Sequence, residues 1–134
     1  MLLENEFYVW KRGEDEQLTK HFHASEFECK CGKCEDQIIS KDLVDKLQII
    51  RSKLNEPLVI NSAYRCEAHN KAVGGSPRSQ HKLGKALDIR PSNGSLSRIK
   101  DKLLKELEGN FNGIGIYSTF IHIDNRKNKG RWFG

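Results

Sequence analysis

The chain has 134 residues, of which 37% are hydrophobic and 31% are charged, so one domain with its own core is expected over residues 1–134. The formal net charge is +5, a basic excess that suits an anionic partner such as an acidic polymer, nucleic acid or a membrane surface, or serves ordinary solubility. No apolar run approaches the roughly 20 residues that a membrane-spanning helix needs, which excludes insertion as such a helix.

The N-terminal stretch MLLENEFYVWKRGEDEQ carries acidic residues at Glu4 and Glu6 before any hydrophobic run develops. It does not resemble a secretory signal, and the expected localisation is cytoplasmic as synthesised. Tyr8 and Trp10 are expected to be packing residues, because aromatic side chains bury large areas in small domains.

Four cysteines follow, three of them in the run CKCGKC. Such a run plus one distant thiolate can supply a closed tetrahedral zinc site. Two disulfides or free thiols are the alternatives, and a reducing compartment favours thiolates over disulfides. His21 or His23 could replace one thiolate. The candidate ligands of this structural zinc are Cys29, Cys31, Cys34 and Cys66.

Two segments have apolar residues at helical spacing. SKDLVDKLQIIRSKL predicts a helix over residues 40–54 with Ser40 as its N-cap. LSRIKDKLLKELEG predicts a second helix over residues 96–109, ended by Gly109. Between them, LVINSAY predicts a strand over residues 58–64, followed by a short helix in RCEAHNKAV and a loop in GGSPRSQ. The expected core stripes are Leu43, Leu47, Ile50 and Leu54 on the first helix and Leu96, Ile99, Leu103 and Leu107 on the second.

Two further segments, KALDIR (residues 85–90) and TFIHID (residues 119–124), alternate apolar and polar residues as half-buried strands do. If the two strands are neighbours, Asp88 and His122 lie on the same face, and His81 can enter from the preceding loop. Three nitrogen and carboxylate donors with an open fourth position are what catalytic zinc requires. The alternative is that each histidine is an ordinary polar residue with satisfied hydrogen bonds.

NSAYRCEAHNKAVGGSPRSQHKLGKALDIR together with GIGIYSTFIHIDNR resembles the zinc D-Ala-D-Ala carboxypeptidase-like family of bacterial and phage peptidoglycan peptidases. The shared elements are a Ser-x-Tyr-Arg segment at residues 62–65, a Ser-x-His-x-x-Gly-x-Ala-x-Asp segment at residues 79–88, and a final strand that holds His122. HFHASEFECKCGKC and the helix after it also resemble small members of the family. The resemblance covers residues 21–126.

The resemblance implies an α+β fold in which helices pack on one side of a small antiparallel sheet, shared with the zinc-binding domain of Hedgehog proteins. It implies that His81, Asp88 and His122 bind the catalytic Zn²⁺. Arg65 matches the family arginine that stabilises the oxyanion or the substrate carbonyl, a role that suits a guanidinium; an ordinary ion pair is the alternative. Three further motif positions look structural, a hydroxyl at a bend and small residues where backbone approaches the metal: Ser79, Gly84 and Ala86.

Several relatives carry Glu or Asp three residues before the last zinc ligand as the general base, where this chain has Thr119. Asp124 projects from the same strand face as His122, and could serve as the base or as a group that orients a metal ligand. His69 and His23 are remoter candidates.

The expected function is a zinc metallopeptidase that hydrolyses peptidoglycan stem peptides, as a D-Ala-D-Ala carboxypeptidase or an L-Ala-D-Glu endopeptidase. A monomeric phage endolysin that acts on the cell wall after release fits the absence of an export signal. The alternative is a non-catalytic, zinc-stabilised module that binds cell wall or a protein. Nucleic acid is not the expected partner, because acids interrupt the basic residues and no recognition helix is evident. In the basic tail, residues 125–134, Trp132 and Phe133 are expected to cover an edge of the core.

Overall fold

The structure is a computed structural model that describes every residue from Met1 to Gly134. It contains α-helices and two β-sheets, which confirms the predicted α+β class. The α-helices are α1 (Lys41–Leu54), α2 (Glu67–Ala72) and α3 (Lys100–Leu107). The strands are β1 (Leu2–Glu4), β2 (Phe7–Lys11), β3 (Asp36–Ser40), β4 (Leu58–Ser62), β5 (Ala86–Pro91), β6 (Gly113–Ile116), β7 (Ile121–Asp124) and β8 (Gly130–Phe133). Short 3₁₀ helices lie at Ala24–Phe27, Gln80–Leu83 and Leu96–Arg98.

The expectation of one small antiparallel sheet was incomplete. The first three strands form an antiparallel sheet in the order β1-β2-β3. The other five have the order β4-β5-β7-β6-β8, and β8 runs parallel to β6. The basic tail thus ends in a strand of this five-stranded sheet, hereafter the main sheet. Phe133 is 82% exposed and does not cover the core, because alternation along β8 turns it away from Trp132.

Helix α1 forms as the sequence predicts. The hydroxyl of Ser40 accepts a hydrogen bond from the backbone N–H of Leu43 and so caps the first turn. Asn55 ends the helix in the left-handed conformation, with φ of 52°. The predicted stripe is buried except for its last residue, Leu54, which is half-buried. Burial of this stripe joins α1 to the core, where it packs against α3 and β3.

The second predicted helix is shorter than expected. Residues Leu96–Arg98 form a 3₁₀ helix, and Ile99 then leaves helical geometry with φ of −122° before α3 begins. The predicted apolar stripe is nevertheless buried in full, because both pieces turn the same side to the core. No helix of the fold is both long enough and apolar enough to cross a bilayer.

The main sheet separates the core from a polar face. Leu87 and Ile89 of β5, with Ile121 and Ile123 of β7, belong to the buried core. Because side chains alternate along a strand, the residues between them point to the other side, hereafter the polar face. That face carries Asp88, His122 and Asp124.

Candidate functional site

His81, Asp88 and His122, hereafter the metal triad, meet on the polar face. β5 and β7 are antiparallel neighbours, and their register sets Asp88 directly opposite His122. Oδ1 of Asp88 lies 2.9 Å from Nδ1 of His122 and 3.2 Å from Nε2 of His81. Ligand atoms of a tetrahedral zinc ion are about 3.3 Å apart, since bonds from zinc to nitrogen or oxygen are about 2.0–2.1 Å long. The spacing of the metal triad therefore suits one cation.

A hydrogen bond to a backbone carbonyl determines which nitrogen of His81 faces the other two residues of the triad. Nδ1 of His81 lies 2.7 Å from the carbonyl oxygen of Ala63, and a carbonyl can only accept a hydrogen bond, so Nδ1 donates. Neutral His81 therefore turns the lone pair of Nε2 toward Asp88. Ser79 caps the 3₁₀ helix that carries His81, because its hydroxyl accepts a hydrogen bond from the His81 backbone N–H at 3.2 Å.

Gly84 ends this 3₁₀ helix in the left-handed conformation, with φ of +67°. A Cβ atom at this position would lie 2.8 Å from the carbonyl oxygen of Ile38 in β3. The close neighbour of Gly84 is therefore β3 and not the metal, contrary to the expectation from the motif. Ala86 is fully buried and pairs with Asp124 across the sheet.

Asp124 lies behind the ring of His122 and is fully buried. Its Oδ2 accepts a hydrogen bond from Nε2 of His122 at 2.7 Å, which leaves the Nδ1 lone pair for the triad. The guanidinium of Arg126 donates to the same carboxylate at 2.7 and 2.9 Å. This arrangement is that of a residue that orients a metal ligand, and it favours that alternative over the general base.

The electrostatics of the polar face depend on these contacts. Burial alone raises the pKa of Asp88, but the hydrogen bonds that His122 and His81 donate when their rings are protonated outweigh it and hold the pKa well below its usual value. Burial likewise opposes ionisation of Asp124, yet hydrogen bonds from His122 and Arg126 lower its pKa. Burial lowers the pKa of His122, but its bonds to the two carboxylates raise the pKa above the usual value. Both acids are therefore anionic at neutral pH.

The three ligand atoms of the metal triad are stabilised by a positive charge between them. With both histidines neutral, two imidazole lone pairs and a carboxylate oxygen face one another with no hydrogen between them. Such acceptors repel unless a proton or a cation lies among them. All three ligand atoms lie within 4.8 Å of one another. A borderline-soft cation with nitrogen and oxygen ligands, such as Zn²⁺, fits this set.

Two glycines of β6 make room for the polar face. Gly113 pairs with Asp124 and Gly115 with His122. A Cβ atom on Gly113 would overlap the carboxylate of Asp124, and one on Gly115 would overlap the ring of Trp132. Trp132 crosses Gly115 and lies with its ring centre 5.2 Å from that of His122. The alternation Gly-Ile-Gly-Ile was thus a sequence signal for a crowded functional face.

A pocket of about 560 Å³ opens in front of the metal triad. Three arginines and three aromatic residues line it, and Asp88 is the one carboxylate in its wall. Tyr117 and Phe120 stack at 4.5 Å, and the Tyr117 hydroxyl accepts a hydrogen bond from the Trp132 indole at 3.1 Å. No sequence pattern predicted these aromatic residues in the site, because Trp132 reaches it only through the pairing of β8 with β6. The lining side chains are Arg65, Arg78, Arg126, Tyr117, Phe120 and Trp132.

Arg65 lines this pocket. Its Nη2 is 3.6 Å from Oδ2 of Asp88, on the carboxylate oxygen that the histidines leave free. Asn70 is buried and accepts a hydrogen bond from Nη1 of Arg65 at 3.2 Å, while Ser62 accepts one from Nε at 3.2 Å. Ser79 also lines the pocket. The guanidinium is therefore held beside the metal triad.

The remaining candidate bases do not lie in the pocket. Thr119, at the position where several relatives carry the base, is exposed and does not line the pocket. His69 and His23 do not line it either, and His23 instead caps the 3₁₀ helix that follows it. The pocket wall thus offers no carboxylate beyond Asp88.

The four cysteines, hereafter the cysteine cluster, form a second group of candidate ligands. Their sulfur atoms lie within 4.8 Å of one another, and all four thiols are free. His21 hydrogen-bonds to Gln48, and neither His21 nor His23 belongs to the cluster. Burial raises the pKa of Cys29 to about 12, whereas hydrogen bonds from the Cys34 and Lys33 backbone lower the pKa of Cys31 to about 6.

Comparison with known proteins agrees with this geometry. A family model described as Peptidase M15 matches residues 20–124, which is well over half of the chain. The match includes the metal triad and the cysteine cluster and nearly coincides with the predicted span. A search of curated proteins found no match.

Proposed function

The chain belongs to the peptidase M15 family, and on that premise we propose that it is a zinc-dependent peptidase that hydrolyses peptidoglycan stem peptides. The observation that carries this proposal is the convergence of the metal triad at the base of an open pocket. Three protein ligands with one side open are the arrangement of catalytic zinc, whereas structural zinc has four. The family itself supports a hydrolytic enzyme.

In this proposal His81, Asp88 and His122 hold the zinc ion. A zinc ion bound there supplies Lewis acidity that polarises a carbonyl and makes water more acidic. The chain keeps both imidazoles in the tautomer that binds metal, His81 through Ala63 and His122 through Asp124. Asp124 is a positioning residue in this account, because its carboxylate touches His122 and Arg126 and is fully buried.

Arg65 is proposed to stabilise the negative charge that develops on the carbonyl oxygen of the scissile bond. Its guanidinium is always charged and lies within 3.6 Å of the metal triad. Hydrogen bonds to Asn70 and Ser62 fix it before substrate arrives, so little reorganisation is needed during the reaction.

The pocket wall favours a peptide that carries carboxylates. Arg65, Arg78 and Arg126 give the wall positive charge, and the aromatic residues offer flat apolar contact. Stem peptides have free carboxylates both at a terminal D-Ala and at D-Glu, so the charge suits either a D-Ala-D-Ala carboxypeptidase or an L-Ala-D-Glu endopeptidase. We propose further that the protein acts as a monomer and as a lysin of the cell wall.

One observation favours a second candidate, a non-catalytic zinc module that binds cell wall. The pocket contains no carboxylate that could act as a general base, since Asp88 is engaged by both histidines and Asp124 lies behind His122. A module of this kind would keep the zinc and the pocket and would lack hydrolysis.

The deciding experiment incubates purified peptidoglycan with the protein and identifies released peptides by mass spectrometry. We expect release by the untreated protein, none after chelation, and recovery when zinc is added back. His122→Ala should be inactive, while His23→Ala, a histidine outside both clusters, should retain release. Binding to peptidoglycan without release by the zinc-loaded protein would select the second candidate.

A further inference from the structure

The cysteine cluster lies outside the substrate pocket and joins two parts of the chain. Residues 29–34 form a tight turn before β3, and Cys66 lies at the start of α2. Sγ of Cys66 is 4.0 Å from Sγ of Cys31. The sulfur atoms of a tetrahedral zinc site lie about 3.8 Å apart, because zinc–sulfur bonds are about 2.3 Å long. The distance thus matches shared coordination of one ion.

Every sulfur in the cluster accepts a hydrogen bond from an N–H group. Cys31 accepts two from the backbone of the turn, both at 3.3 Å. Each of the other three sulfur atoms accepts a hydrogen bond of 3.4 Å, from a backbone N–H group for Cys29 and Cys66 and from the Gln37 side chain for Cys34. Such bonds favour the thiolate, which is the form that binds metal. The donors are Lys33 and Cys34 to Cys31, Cys66 to Cys29, His69 to Cys66, and the Gln37 side chain to Cys34.

A half-buried arginine, Arg12, offsets part of the charge that four thiolates would carry. Nη2 of Arg12 lies 3.7 Å from Sγ of Cys34 and 3.9 Å from Sγ of Cys31. Its guanidinium also donates to the backbone carbonyls of Cys34 and Cys29 at 2.8 and 2.7 Å. Zinc with four thiolates has a net charge of −2, so a fixed cation beside it is stabilising. Arg12 has this position without being a ligand.

We propose that the cysteine cluster binds one zinc ion in a closed site of four thiolates, separate from the metal triad. No histidine or carboxylate belongs to the cluster, and four protein ligands leave no open position for substrate. The role is therefore structural. The ion would connect the turn at residues 29–34 to the start of α2. The same two parts of the chain are also joined by a backbone hydrogen bond, in which the Tyr64 N–H donates to the Phe27 carbonyl at 3.4 Å.

The test uses full-length His122→Ala, purified from zinc-supplemented cells in reducing buffer, so that the cysteine cluster can be observed without the metal triad. We expect one zinc ion per chain by elemental analysis. Its X-ray absorption spectrum should show only sulfur neighbours, at about 2.3 Å, in contrast to about 2.0–2.1 Å for nitrogen and oxygen. His23→Ala serves as the matched control and should give the same zinc content as the wild-type protein.

Cys34→Ser provides the second variant, and the sulfur-bound zinc should be lost or bound far more weakly. If this variant does not fold, the spectrum of His122→Ala still decides. Zinc with nitrogen or oxygen neighbours only, or a metal-free chain whose four thiols are paired in disulfides, would overturn the proposal. Neither result depends on whether the protein cleaves peptidoglycan, so the proposed function can fail while this site stands.

Discussion

Oδ1 of Asp88 lies 2.9 Å from Nδ1 of His122 across two antiparallel strands, and the register of the sheet holds the two residues opposite each other. His81 reaches the same oxygen from the 3₁₀ helix at 3.2 Å. When both histidines are neutral, one carboxylate oxygen therefore faces two imidazole lone pairs, each oriented by a hydrogen bond on the far side of its ring.

Asp124→Asn tests the positioning role. Because the amide cannot replace the charged acceptor behind His122, we expect zinc affinity to fall by about 10- to 100-fold, with much of kcat recovered at saturating zinc. Zinc affinity is measured by competition with a chromophoric chelator. A general base would behave differently: zinc affinity would hold, and kcat would stay low at every zinc concentration.

Arg65→Lys tests charge stabilisation. An ammonium cannot reproduce the contacts of the guanidinium with Asn70 and Ser62, so the positive charge is no longer fixed beside the triad. We expect kcat to fall by about 10²- to 10³-fold with unchanged zinc content. Arg51→Lys, on α1 and outside the pocket, should behave as wild type. A rise in KM alone would contradict the assigned role.

Gly113→Ala tests the space that β6 leaves. The added methyl group overlaps the carboxylate of Asp124, so we expect a loss of about 1–3 kcal/mol in the free energy of unfolding, together with weaker zinc binding. Ile114→Val is the control. Ile114 faces the core, and loss of one methyl group there lowers the free energy of unfolding by about 0.5–1.5 kcal/mol. Normal zinc affinity in Gly113→Ala would show that the site tolerates the displacement.

Cys31→Ser tests the contribution of the cysteine cluster to stability. Cys31 accepts two backbone hydrogen bonds and lies 4.0 Å from Cys66 through their sulfur atoms. We expect the free energy of unfolding to fall by more than about 2 kcal/mol, as is typical when a structural metal is lost. Urea denaturation with and without added zinc measures this. Equal stability of the variant and the zinc-loaded wild type would argue against a structural ion.

The sequence predicts the parts of the fold whose periodicity is local. Leu43, Leu47 and Ile50 define α1 unambiguously, and alternation around Asp88 and His122 predicts both the strands and the face they share. Because side chains alternate between the two faces of a strand, burying the neighbouring isoleucines and leucine in the core necessarily turns Asp88 and His122 to the opposite face.

Other features depend on pairing between distant segments, which no local pattern reveals. The first sheet joins β2 to β3, whose paired residues Phe7 and Ser40 are far apart in sequence. The tail enters the site only because β8 pairs with β6 in parallel, which places Trp132 beside Gly115. The role of Asp124 likewise could not be settled from its strand face, because it depends on contacts with Arg126 and the far nitrogen of His122.

The most direct test of the account is a crystal structure of the zinc-loaded protein with anomalous diffraction data collected at the zinc edge. The account predicts a peak about 2.0–2.1 Å from Nε2 of His81, a carboxylate oxygen of Asp88 and Nδ1 of His122, with no fourth protein ligand. The absence of a peak there, or a fourth protein side chain that closes the coordination sphere, would contradict the claim that these three residues form a catalytic metal centre.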